Sequence, residues 1–245
     1  MFGRGLTEIC FKAKQQFKTF ISLKEVITSM ITTIIFDLDG VLIDSELYWQ
    51  KDEMPFLKKL IPTWNSKHER KIIGMNVDNL YQYLVSEFKM KVSKKEFLKG
   101  YDQLALAIYQ KKTQLLPNSI DLLQRLNQEK YTIAMASSSP RHWIDWLLER
   151  IDISKFFTLI ISAEDSGGKG KPSPEIYLYT AKKLKKNPKE CLAIEDSHNG
   201  VLAAKNAGMR CIGIRNGFND DQNLSRCDMI ISDFKELTIK KIQQF

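Results

Sequence analysis

Short apolar runs recur along the chain at residues 33–36, 131–136, 158–161, 191–194 and 211–214, with a weaker one at 229–231. Runs of this length, rich in isoleucine and small apolar residues, read as buried strands. Between most of them lie helix-length amphipathic segments, at 120–128, 143–150, 174–184 and 200–207. Strand and helix in alternation predict parallel crossovers, hence an α/β fold with a doubly wound, Rossmann-like parallel sheet. In such a sheet, ligands gather at the carboxyl ends of the strands.

One interval breaks the alternation. Residues 46–115 contain only helical patterns, at 47–60, 67–73, 77–88 and 94–114. An α-helical insertion directly after the first strand would sit over the carboxyl end of the sheet, where a cap or lid belongs. Residues 1–29 form a separate stretch, with Leu6, Ile9, Cys10, Ala13, Phe17, Phe20 and Ile21 at helical spacing. It is read as an N-terminal extension, helical or poorly ordered, without a catalytic role. Lys24 and Glu25 interrupt its apolar stretch, which argues against a secretory signal, and Met30 would make a natural start. The expected division is therefore an extension at 1–29, a core of 30–45 and 116–245, and a helical cap at 46–115.

The 43% apolar content suffices for a sizeable core, and no apolar window long enough to span a membrane interrupts it. A formal charge of +8 raises the question of nucleic acid. Five basic residues against two acidic ones in 1–29 supply part of it, and much of the rest is lysine scattered on helix surfaces, such as Lys182, Lys183, Lys185 and Lys186. That distribution favours solvated faces over a nucleic-acid footprint, while still attracting small anions. Cys10, Cys191, Cys211 and Cys227 show no C-x-x-C spacing, and two of them fall in strand patterns. Reduced thiols in a cytoplasmic protein are expected, rather than disulfides or zinc.

The chemistry concentrates where strands end. Residues 34–46 read I-I-F-D-L-D-G-V-L-I-D-S-E, placing Asp37 and Asp39 just past the first strand. Like charges a few ångströms apart at the end of a buried strand repel, so a hard divalent cation with oxygen ligands is expected between them. A calcium loop would need a glutamate at its twelfth position, which here is Tyr48; a solvated turn stays open. Ser137, Ser138 and Ser139 follow the second strand ahead of a helix, as a phosphate cradle or as a plain N-cap. Lys171, between Gly170 and Pro172, follows the third and is stiffened by Pro172 and Pro174. Glu195 and Asp196 close the fourth and would share the same cation.

Together the segments D-L-D-G-V-L-I-D-S-E, A-S-S-S, G-K-P-S-P-E and E-D-S-H-N-G resemble the four motifs of the haloacid dehalogenase (HAD) superfamily, in its β-phosphoglucomutase-like, sugar-phosphate phosphatase branch. The resemblance runs from Met30 to about Leu237. It implies Asp37 as nucleophile, Asp39 as general acid and base, and Lys171 as stabiliser of the transferring phosphoryl group. Ser137 and Ser138 would bind phosphate. Asp37, the backbone carbonyl of Asp39, Glu195 and Asp196 would hold Mg²⁺, with Asn199 orienting the carboxylates.

A dehalogenase would not need Asp39, Glu195 and Asp196. A mutase would grip a second phosphate with cations after Gly74 and after the serine run, but Met75, Asn76 and Val77 follow Gly74, and Pro140 follows Ser139, with Arg141 one step beyond. The expectation is a Mg²⁺-dependent phosphatase of a small phosphorylated metabolite, a sugar or sugar-alcohol phosphate, working through an aspartyl phosphate. A β-phosphoglucomutase-type phosphotransferase and a non-catalytic phosphometabolite-binding module are the alternatives. Trp49, Gly74 and Arg141 are the candidate lid and substrate residues, although Trp49 on a helix also fits lid core. A monomer with no nucleic-acid or membrane partner is expected.

Overall fold

A computed structural model describes residues 30–72 and 75–245. The expected extension at 1–29 and Gly74 lie outside the described residues. Six strands form one parallel sheet: β1 (Thr33–Phe36), β2 (Thr132–Ser137), β3 (Leu159–Ser162), β4 (Cys191–Glu195), β5 (Arg210–Ile214) and β6 (Met229–Ile231), in the order β3-β2-β1-β4-β5-β6. The doubly wound sheet read from the strand-helix alternation is thus present. Phe36 of β1 lies in register with Met135 of β2 on one side and Ile194 of β4 on the other. The chain winds outward from β1 through β2 and β3, then returns to its other side as β4, β5 and β6. This reversal at β1 opens a crevice at the strand ends, where no crossover helix covers them.

Side chains alternate across the sheet as a two-residue period demands. Ile34 and Phe36 join one apolar cluster with Leu122, Leu123 and Leu126 of α5 (Ser119–Gln128) and with Trp143, Ile144 and Leu147 of α6 (Arg141–Arg150). Ile35 joins the opposite cluster with α7 (Glu175–Lys183) and α8 (His198–Asn206). That second face is built of Ala134, Ala136, Ala193, Ala203 and Ala204, whose small side chains bring the helices close to the sheet.

Between β1 and α5 come four helices: α1 (Ser45–Leu60), α2 (Ser66–Ile72), α3 (Val77–Phe88) and α4 (Lys94–Ala107). Asn76 caps α3 by accepting from Asn79 N, and Ser93 with Glu96 forms a capping box on α4. The helix expected over 94–114 does not run through as α-helix. After Ala107 the chain widens into a π-helical turn at Ile108–Lys112. The extra residue in that turn re-aims the side chains that follow it, a deviation periodicity does not register. Among the described residues, no helix is long and apolar enough to cross a membrane.

Candidate active site

Each strand end contributes to one cluster. Asp37 leaves β1 with its N–H donating to Ile194 O at 3.0 Å, and Glu195 and Asp196 end β4 beside it. One carboxylate oxygen each from Asp37, Glu195 and Asp196 lie within 4.8 Å of one another, and all three residues are buried. Lys171 Nζ sits 2.9 Å from Asp37 Oδ1 and 2.6 Å from Glu195 Oε1, with the Tyr177 ring 5.4 Å away. Tyr177 also donates its hydroxyl to Glu195 Oε1.

The charges show what this cluster suits. Three carboxylates face one ammonium in a buried site, so burial, only partly offset by Lys171, pushes the Asp37 carboxyl up to about 7. Burial, then Glu46 and Asp37, push Asp196 well above the usual carboxylate range. For Lys171, burial would favour the neutral amine, but Asp37 and Glu195 outweigh it and its pKa is raised. An all-oxygen donor set short of positive charge fits a hard divalent cation.

Two glycines make room for these carboxylates. Gly40 has a φ of +70°, and a Cβ built on it would lie 2.0 Å from Asp196 Oδ2. A Cβ on Gly200, in the first turn of α8, would lie 1.9 Å from Glu195 Oε2. Gly200→Ala should therefore behave against helix propensity, which favours alanine by about 1 kcal/mol. We expect it to lower the melting temperature and to weaken divalent-cation binding at least about tenfold, read by calorimetry. A variant more stable than wild type with unchanged metal binding would refute this close approach.

Asp39 is held on the opposite side of the cleft. Its carboxylate accepts from Ser45 Oγ at 2.6 Å, Tyr109 OH at 2.5 Å and Ser139 Oγ at 2.7 Å. Ser137 Oγ is further away, at 3.5 Å, and accepts from Ser139 N. The Ser138 hydroxyl is buried without a hydrogen-bond partner among the described residues. The structure thus brings together Asp37, Asp39, Ser137, Ser138, Lys171, Glu195 and Asp196, and places Asn199 in the first turn of α8. Trp49 is buried, stacks on Tyr101 at 5.2 Å and still lines the cleft.

Arg141 is not brought to the site. Its guanidinium donates to Ile160 O at 2.7 Å and pairs with Asp165 at 2.6 Å, so the expected substrate cation is spent on the rim of β3. Several residues escaped the sequence reading. Tyr109 falls within the helix expected over 94–114 and reaches Asp39 from the π-helical turn. Asn216 donates to Gly40 O at 2.7 Å and to Asp196 Oδ2 at 3.2 Å, while Asn219 donates to Asp196 O at 2.7 Å. These two follow β5, a strand end like the others, and that placement was the available signal.

Comparison with known proteins agrees with this geometry. The haloacid dehalogenase-like hydrolase family model matches residues 34–214. Hexitol phosphatase B of Escherichia coli (strain K12) is 29% identical over 86% of this chain and 96% of its own length. The bifunctional riboflavin kinase/FMN phosphatase of Arabidopsis thaliana is 28% identical over 90% of this chain, which spans only 58% of that longer protein. The crystal structure of β-phosphoglucomutase from Clostridium difficile superposes with a TM-score of 0.72 at 27% identity, covering 88% of this chain and 96% of the other. With the family model covering the sheet from β1 to β5 and the acidic cluster at its strand ends, the chain belongs to the haloacid dehalogenase-like hydrolase family.

Proposed function

We propose that this protein is a Mg²⁺-dependent phosphatase that hydrolyses the phosphomonoester of a small sugar or sugar alcohol through an aspartyl phosphate on Asp37. The observation that carries the reading is the convergence of Asp37, Lys171, Glu195 and Asp196 at one strand-end crevice, with Asp39 and the serine run facing them. Asp37, Glu195 and Asp196, with the backbone carbonyl of Asp39, would hold Mg²⁺, which when bound neutralises charge on the phosphoryl oxygens. Asp37 attacks phosphorus in line with the ester bond, since its carboxylate is buried and poorly solvated and so a better nucleophile than in water. Lys171, paired with Asp37, offsets the charge on the equatorial oxygens as the bond to the leaving oxygen breaks. Asp39, fixed by Ser45, Tyr109 and Ser139, protonates the departing alcohol and then takes a proton from the water that cleaves the acyl phosphate. Helices α1 to α4 act as a cap that keeps bulk water from that intermediate.

A mutase would need a cation to hold a second phosphate. Val77 stands where the lid cation was sought, and the Asn76 side chain before it is spent on Gly168 O at 3.0 Å and on capping α3. Incubating the full chain with Mg²⁺ and a panel of sugar and polyol monophosphates should release inorganic phosphate in step with free alcohol. Release should stop with EDTA and return with excess Mg²⁺. Conversion of β-glucose 1-phosphate to glucose 6-phosphate without net phosphate would favour the mutase, and inertness toward every monoester would leave a binding module.

A further inference from the structure

The cleft beyond the catalytic groups is acidic. Helix α1 presents Glu46, Trp49, Gln50 and Glu53 to it, residues spaced by three, four and seven and so on one helical face. Glu69 of α2 lines the same cavity, of about 100 Å³, and Tyr101 and Trp143 form its aromatic wall. Among the described residues that line it, none is lysine or arginine. Gln50 is tied to the core by donating to Phe218 O at 2.8 Å, which fixes this face of α1 over the strand ends.

Among the described residues no ion pair takes up these carboxylates, although Lys58 acts on Glu69 by charge. Glu53 takes the Tyr101 hydroxyl, and Glu69 Oε1 is buried without a hydrogen-bond partner among the described residues. Burial, followed by Glu46 and Glu69, pushes Glu53 well above the usual carboxylate range; burial, followed by Asp39 and Asp37, pushes Glu46 up to about 8. A fold gains nothing from crowding three acidic groups around a cavity unless something in that cavity donates to them. An anion is a poor occupant, because no described residue of the lining offers it a cation and any glutamate that ionises there repels it.

Resting on the phosphatase reading above, we infer that Glu46, Glu53 and Glu69 form a selectivity wall that accepts leaving alcohols rich in hydrogen-bond donors and rejects those bearing a second anionic group. Selection of this kind is strong, because an unmatched ligand leaves buried acceptors unpaired and also incurs charge repulsion. Hydroxyl and ammonium donors share this chemistry.

D-Sorbitol 6-phosphate and 6-phospho-D-gluconate differ by one terminal group, a hydroxymethyl against a carboxylate. With Mg²⁺, kcat/KM for the first should exceed that for the second by about 100-fold or more. Glu53→Gln and Glu69→Gln, made separately so that a folding defect in one leaves the other, should each narrow that ratio at least about tenfold, mainly through KM for the gluconate ester. Glucose 6-phosphate against glucosamine 6-phosphate separates the donors: preference for the amine assigns the wall to ammonium, parity to hydroxyl. Equal kcat/KM for the first pair, or a ratio untouched by both variants, overturns the inference. So does hydrolysis of p-nitrophenyl phosphate with none of sorbitol 6-phosphate. If p-nitrophenyl phosphate is also inert, the phosphatase reading fails instead, and calorimetric titration of the two esters onto the Mg²⁺-loaded protein then decides selectivity. Tighter binding of the sorbitol ester supports the wall, and equal binding overturns it.

Discussion

Asp37→Asn is expected to reduce phosphate release by about 10⁴-fold or more and, unlike most core substitutions, to make the metal-free protein more stable at neutral pH. The first effect follows from removing the proposed nucleophile while keeping its shape. The second follows from the site's charge. Burial raises the folded-state pKa of Asp37 from 3.8 to about 7, so between those values the folded protein holds a proton that the unfolded chain has released. Stability of the metal-free wild type should therefore fall as pH rises from about 4 to about 7, by a few kcal/mol in all at about 1.4 kcal/mol per unit. The asparagine cannot ionise, and its variant should show a flatter profile over the same window. Urea unfolding in EDTA at pH 4.5 and 7.5 reads this difference, and phosphate release with Mg²⁺ reads the other. Retained turnover would remove Asp37 as the nucleophile; a variant less stable than wild type at pH 7.5 would mean that the carboxylate is not a source of strain.

Lys171→Met should damage both properties at once. The ammonium is almost wholly enclosed, with a side-chain exposure of 1%, and it is the described cation between Asp37 and Glu195. Methionine fills similar length without charge, leaving two carboxylates in a dry site with no counter-ion. Breaking a buried pair in this way costs about 3–5 kcal/mol. Loss of the donor proposed to stabilise the transferring group should lower kcat by about 10²–10⁴-fold. Saturating Mg²⁺ should recover part of the melting temperature, because it supplies positive charge to the same oxygens, but little of kcat. Lys171→Arg should not rescue turnover, since the planar guanidinium is bulkier and the Tyr177 ring lies 5.4 Å from the ammonium. Thermal melts with and without Mg²⁺, together with single-turnover rates, test this. A Lys171→Met variant within threefold of wild type in both would place the lysine outside the chemistry.

The two substitutions pull stability in opposite directions although they alter partners in one ion pair. The pair sits inside an excess of negative charge, so removing an anion relieves repulsion and removing the cation exposes it. On the proposed function, a bound divalent cation would offset that excess charge and stabilise the site.

How far the chain could be read without its structure depended on whether the relevant physics was local. Ile34, Ile35 and Phe36 form a strand because a short apolar run between polar breaks can satisfy its backbone only in a sheet, and Asp37 and Asp39 follow it in sequence. Glu195 and Asp196 announce themselves in the same way at β4. The strand-end rule then joins segments more than 150 residues apart, so fold class and the central carboxylates were legible. Tyr109 was not, since its aim depends on a widened turn that leaves no mark on the apolar pattern. Arg141 misled for the converse reason: its position beside the serine run is local, but Asp165, which claims its charge, is not.

What the sequence by itself determined is the order of strands and helices and the acidic residues at the strand ends, because hydrophobic period and chain connectivity act between near neighbours. Which carboxylates cluster, that Lys171 is sealed between Asp37 and Glu195, that Gly200 yields its Cβ space to Glu195, and that three glutamates line one cleft were decided only by tertiary packing. Burial and distance set those charges against one another, and neither is a property of any residue until the chain has folded.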